Sequence, residues 1–155
     1  MSAPESLLGR SRETEIRRDA QGRWWNGRDP ITHPAVTRSF DGWIERAEDG
    51  RYRLANAVNW AYVTIEGPPF FVRGITLERP SIDAMVLHLS GGLRERLDAD
   101  SLAEAEDGSL WCAVRGGLEA RFDSHAAMQL EPLLGSGPLG TWLEGDGRRV
   151  VPRRR

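Results

Sequence analysis

The 155 residues hold no lysine, a single cysteine and no apolar run near the roughly 20 residues that a membrane-crossing helix needs. Each shortage excludes something. Without lysine there is no Schiff-base chemistry and no phosphate loop that depends on one. Cys112, being alone, forms no intramolecular disulfide and has no partner thiol for a zinc site. A mean hydropathy of -0.49 agrees with the missing apolar run, and no membrane partner is expected. Charge of one sign is lacking too: 21 basic residues, all arginine, stand against 23 acidic ones for a net charge of -2. Such a chain has no global field to hold a polyanion, so no nucleic-acid partner is expected. The opening MSAPESLLGRSRETEIRRDA has neither the apolar core nor the cleavage pattern of an export signal, and a cytoplasmic location is the expectation.

What is present is a succession of short β-prone runs separated by glycine and proline. Residues 1–14 are polar and aperiodic and read as a flexible lead-in. A strand around Ile16 to Arg18, a turn at Ala20-Gln21-Gly22 and a strand through Trp24 and Trp25 follow. Asn26-Gly27 suits the centre of a type I′ turn, which pairs Trp25 with Arg28. Thr32 then offers a hydroxyl cap to a helix with Pro34 in its first turn. Val36, Phe40, Trp43, Ile44 and Ala47 carry that helix's apolar face to an end near Glu48-Asp49-Gly50. Four strand-like runs come next, Arg51 to Asn56, Val58 to Glu66, Phe70 to Leu77 and Ile82 to Leu89. The acidic Asp98 to Asp107 segment reads as a loop or one helical turn.

From Asp107 the opening grammar recurs: a turn at Asp107-Gly108, a strand with Trp111, a tight turn at Gly116-Gly117, a return strand closing at Phe122, and a helix opened by Ser124-His125. Pro132 shortens that helix, and a last hairpin turns at Gly145-Asp146-Gly147. The expected fold is α+β, mainly antiparallel sheet with two short helices, in two divergent strand-turn-strand-helix repeats. The expected organisation is a first half over residues 15–90, a second over 91–152, and a solvated arginine tail at 153–155.

The stretches GRWWNGRDPITHPAVTRSF, DGRYRLANAV, VTIEGPPFFV and VRGGLEARFDSHAAM resemble a bacterial family known only as a domain of unknown function. The resemblance spans about Glu15 to Leu134, and its most specific pieces are Val114–Ala120 and Ile65–Phe70. It implies an α+β fold with a repeated motif and a role in ligand sensing or signal transduction, and it assigns no catalytic residue. The chain departs from the family pattern at His125-Ala126-Ala127 and in its short Asp98 to Asp107 link.

Several motifs fail on context. Gly135-Ser136-Gly137-Pro138-Leu139-Gly140 spells the dinucleotide pattern, yet it opens no helix, has proline inside it and lies too near the last residue for the acidic ribose partner, so it reads as a linker. Asp98-Ala99-Asp100 begins like a calcium loop, but Ala103 and Ser109 occupy the positions that need glycine and glutamate. No Gly-x-Ser-x-Gly elbow occurs. Cys112, mid-strand without a base, reads as a buried structural thiol, and His88 as a sheet-face histidine.

No catalytic residue, metal or cofactor is assigned. The reading preferred from the sequence is a non-catalytic small-ligand-binding or regulatory module, with Trp25, His33, Arg115, Glu119 and His125 as ligand-binding candidates. His33 and His125 qualify as residues at helix N-termini, and Trp25 as one of a pair, with Trp24, that projects to opposite faces of the hairpin so that one of the two points away from the first core. A two-residue turn at Gly116-Gly117 pairs Arg115 with Leu118 and puts Glu119 on the other face. The alternative is a protein-interaction or self-associating module built on surplus tryptophans, six in all. A small molecule, a protein partner or a second copy of the chain are the partners expected.

Overall fold

Glycine- and proline-bearing breakers every few residues keep the regular elements short, and strands far outnumber helices among them. The structure, a computed structural model, describes residues 12–138 and 140–155. Residues 1–11, where most of the expected lead-in falls, and Leu139 lie outside the described residues. The chain divides between Pro69 and Phe70 into two compact units.

In the first unit the elements are β1 (Ile16–Arg18), β2 (Trp24–Asn26), β3 (Asp29–Ile31), α1 (Pro34–Trp43), β4 (Ile44–Arg46), β5 (Tyr52–Ala55), β6 (Trp60–Tyr62) and β7 (Thr64–Ile65). One sheet runs β3-β2-β1-β7, with β7 parallel to β1, and a second runs β4-β5-β6. Residues 12–14 are held against the second: Arg12 donates to the Trp60 carbonyl at 2.7 Å and Thr14 to that of Tyr62 at 2.6 Å.

Three local expectations shift here. Asn26 pairs with Asp29 and Trp25 with Pro30, so the turn residues are Gly27-Arg28 and not Asn26-Gly27. Gly27, at φ 61, occupies the first central position, which a type II′ turn reserves for glycine. The cap of α1 is His33, whose Nδ1 accepts from the Ala35 N–H at 3.2 Å, and not Thr32. The helix stops at Trp43, because Ile44, although in helical register, pairs with Leu54 and is buried as a strand residue. The Val58 to Glu66 run breaks at buried Val63 into β6 and β7, one for each sheet.

The second unit holds β8 (Phe70–Leu77), β9 (Met85–Leu89), β10 (Arg94–Arg96), β11 (Ala103–Glu104), β12 (Leu110–Val114), β13 (Leu118–Phe122), α2 (Ser124–Gln129), β14 (Leu134–Gly137), β15 (Gly140–Gly145), β16 (Arg148–Val150) and β17 (Arg153–Arg154). A seven-stranded sheet runs β10-β9-β8-β13-β12-β11-β17, and β14-β15-β16 form a separate meander. Helix α2 packs on β8 and β13. A bulge between Val72 and Gly74 interrupts the β8 ladder, and Gln129 of α2 accepts the Ile75 N–H at 2.7 Å beside it. Phe70, Val72, Met85, Leu87, Val114, Ala120, Ala126 and Leu130 form the core. Burial pushes the Cys112 thiol up to about 12, which leaves it protonated and inert.

The fold is therefore α+β and sheet-dominated, with two helices among the described residues. In each unit a hairpin leads directly into a capped helix. The second hairpin departs from expectation: Val114 pairs with Leu118, so the turn has three residues and Arg115 occupies it at φ 53. Asp123, not Ser124, caps α2, accepting the Ala126 N–H at 3.0 Å. The last hairpin turns on Asp146 and Gly147, both at positive φ, as a type I′ turn requires. Arginines 153–155 are exposed, and Arg153 and Arg154 add to β11 as the parallel edge strand β17.

Glycines 135 and 137 belong to β14 rather than to a linker, and the Trp142 indole lies across them. A Cβ on Gly135 would overlap the ring at Nε1, Cε2 and Cζ2. Gly135→Ala is accordingly expected to destabilise the second unit by about 1–3 kcal/mol through overpacking. Ser136→Ala, at an exposed neighbour, should be close to neutral when the two are compared by urea unfolding.

Candidate functional site

The site grows from the turn between β1 and β2. Asp19 closes that turn: its Oδ1 accepts the N–H groups of Gln21 at 3.0 Å and Arg23 at 2.9 Å. Its Oδ2 accepts the Trp25 indole N–H at 3.0 Å and the Arg23 Nε–H at 3.2 Å. Desolvation acts to raise the Asp19 pKa, but the hydrogen bonds from Trp25, Arg23 and Gln21 and the charge of Arg23 outweigh it and hold the carboxyl at about 2. Trp25 is thereby fixed on the turn, half-buried, with the Arg17 guanidinium 5.2 Å from its ring centroid.

On the opposite face of the hairpin, Arg18 and Trp24 are paired across β1 and β2 and both are buried. Arg18 donates to Asp41 Oδ1 at 2.9 Å, to the Pro69 carbonyl at 2.8 Å and to the Pro68 carbonyl. The same Asp41 Oδ1 accepts the Trp24 indole N–H at 2.9 Å. Phe40 packs edge-on against Trp24 with centroids 5.3 Å apart. Helix α1 thus uses Phe40 for packing and Asp41 for charge, and Thr37, four residues earlier, shares the Asp41 face.

A cleft of about 460 Å³ is lined by Gly22, Arg23, Trp24, Trp25, Pro30, Ile31, Thr32, Thr37 and Asp41. Trp25, Pro30 and Ile31 supply apolar surface, and the two threonines and Asp41 supply polar atoms. Asp41 Oδ2 accepts no hydrogen bond from the described residues, so it remains an acceptor beside the cleft. The lining contains no histidine or cysteine. Among the described residues, no group of three or more His, Cys, Asp or Glu side chains is placed to hold a metal ion.

Of the residues singled out from the sequence, Trp25 lines this cleft, and His33 caps α1 two residues beyond Ile31 of its wall. The others belong to the second unit. Arg115 is exposed in its turn, with its backbone N–H bonded to Glu95 at 3.0 Å. Glu119 is ion-paired with Arg155 at 2.8 Å. His125 is exposed on the first turn of α2 and lies near Gly74. His88 bonds Thr76 at 2.7 Å on the sheet face. None of the six tryptophans is exposed. Sequence reasoning missed Arg18, Asp19 and Asp41. Asp19 had a signal, aspartate three residues before a glycine at a turn. Arg18 had none, because arginine is rarely found inside.

No family model and no curated protein matches the chain. Among solved structures, its fold is similar to that of a DUF1285 family protein from Silicibacter pomeroyi DSS-3, with a TM-score of 0.68 and 20% identity over 88% of this chain and 78% of that one. It is also similar to a DUF1285 family protein from Shewanella baltica OS155, with a TM-score of 0.57 and 19% identity over 74% of this chain and 87% of that one. At identities this low the likeness establishes the fold. Both neighbours carry a domain-of-unknown-function name, in keeping with the kind of family that the sequence resembles. No helix among the described residues is long and apolar enough to cross a membrane.

The depressed Asp19 pKa, about 2 against an ordinary 3.8, gives a signed pH dependence. Its contribution is present above about pH 4 and is lost as pH falls through the folded value, an effect on the order of 2 kcal/mol. Asp19→Asn keeps an oxygen for the two backbone N–H groups but loses the charge. The stability gap between wild type and this variant, followed by urea unfolding, is expected to be widest near neutrality and to close between pH 4 and pH 2.

Proposed function

We propose that the first unit binds a small ligand in the cleft beside Trp25, and that the protein is a non-catalytic, regulatory ligand-binding module. The observation that carries the reading is the convergence of one half-buried tryptophan, two hydroxyls and an acceptor oxygen on a cleft whose volume suits a small molecule. Asp41 is committed to Arg18, so its charge is already balanced and its open oxygen favours a neutral donor over a cation. The ligand class that fits has a flat apolar part for Trp25, Pro30 and Ile31 and an amide or hydroxyl donor for Asp41. His33 is not among the residues that line the cleft. The lining holds no histidine, cysteine or lysine, and its one carboxylate, Asp41, is ion-paired with Arg18, which favours recognition over chemistry.

Thermal unfolding against a panel of nucleotides, acyl compounds and amino acids tests the reading. A ligand at about 100 times its Kd adds roughly 2.7 kcal/mol and should raise the midpoint by several degrees. The shift is expected to vanish in Trp25→Ala and Thr32→Ala and to persist in Arg115→Ala. A flat panel at millimolar concentrations, or a shift that survives both cleft substitutions, would contradict it.

A further inference from the structure

A second site, independent of the cleft, lies on the edge of the seven-stranded sheet. Strand pairing places Trp111 opposite Arg121, Ala113 opposite Glu119, and Ala103 opposite both Trp111 and Arg153. Side chains two residues apart share a face, so Trp111, Glu119 and Arg155 all belong to the face that carries Ala103. The Arg155 guanidinium is 3.6 Å from the Trp111 ring centroid. Its Nη2 and Nε donate to the two carboxylate oxygens of Glu119 at 2.8 and 3.2 Å. The backbone is held as well: the Arg153 N–H donates to the Leu102 carbonyl at 3.0 Å and the Arg155 N–H to that of Glu104 at 2.9 Å. The floor is fixed in advance, since the Trp111 indole N–H bonds Ser109 at 3.0 Å and Ser109 in turn bonds Asp107 at 2.6 Å.

We propose that Trp111, Glu119 and the outer edge of β11 form a binding site for the arginine side chain of an extended peptide segment, and that Arg153–Arg155 is its resident, exchangeable ligand. The parts match that chemistry: a flat ring under a planar cation, a carboxylate facing the fork of the guanidinium, and a strand edge for the backbone. Lysine, a point charge without the fork, meets only part of it. Exchange follows from how lightly the resident is held. Its ion pair is open to solvent, with side chains 36% and 53% exposed, and exposed pairs contribute little. Its strand is two residues long at a sheet edge. Tethering gives the resident a high effective concentration, so an arginine-bearing segment of a partner enters once Arg155 is withdrawn.

The test uses the full chain carrying Arg155→Ala, with L-argininamide as probe and L-lysinamide as control. The readout is the indole N–H resonance of Trp111, identified by its loss in Trp111→Phe. The substitution is expected to move the resonance and millimolar argininamide to return it toward the wild-type position, with lysinamide at least several-fold weaker. Wild type and the Glu119→Gln, Arg155→Ala double variant should not respond at the same concentration. If Arg155→Ala does not fold, Arg155→Gln is read in the same way. No response to argininamide, an equal response to lysinamide, or an undiminished response in the double variant or in wild type overturns the proposal.

Discussion

The first unit is organised by a single demand, that the buried charge of Arg18 be met. An unpaired ion in the interior costs several kcal/mol, whereas exposed pairs are worth about 1 kcal/mol or less. By that measure Arg18 with Asp41 outweighs the other ion pairs of the unit, whose partners are open to solvent on at least one side. Two kinds of acceptor meet the demand. Asp41 brings the charge from α1, and the carbonyls of Pro68 and Pro69 bring dipoles from a segment whose prolines have no N–H to offer a strand. One side chain therefore ties together β1, α1 and the end of the unit. Because Asp41 also takes the Trp24 indole N–H, the same interaction sets the wall of the cleft.

Absence of lysine shows elsewhere as well. Arginine is the chain's only long cation, and planar guanidinium groups stack where ammonium groups would stay in water. Arg17 lies over Trp25, Arg12 and Arg53 over Trp60, and Arg149 over Trp142. On the seven-stranded sheet, Arg121 sits between Phe71 and Trp111, with Arg73 also over Phe71 and Arg155 over Trp111. Six tryptophans in a chain of this length would be expected to leave apolar surface open. Here the stacked cations and their carboxylate partners help cover it, and none of the six is fully exposed.

Where local chemistry decides the conformation, the sequence was legible. Asp146-Gly147 makes its turn, Pro132 ends α2, and hairpins precede both helices, because each depends on neighbours a few residues away. Register and termination were less legible, since they depend on partners far along the chain. Ile44 continues the helical period of α1 but finds Leu54, and Gly27 rather than Asn26 takes the first central turn position once Asn26 pairs with Asp29. The pairing of Arg153 and Arg154 with β11 likewise depends on a partner about 50 residues back in the chain. Of the candidate site, alternation along β2 showed that one of Trp24 and Trp25 must turn from the core, and burial of Trp24 leaves Trp25 as that one. Arg18 and Asp41 were not, because a charged residue gives no periodic sign that it will be buried with a partner 23 positions away.

The central claim, that Arg18 and Asp41 act as one unit, is tested most directly by a double-mutant cycle on unfolding free energy. Asp41→Ala leaves a buried cation without its anion and should cost about 3–5 kcal/mol, while Arg18→Met removes the charge that needs it. The account predicts a double variant no less stable than Asp41→Ala alone, with a coupling of about 2 kcal/mol or more. Additive losses, with a coupling below about 0.5 kcal/mol, would contradict it.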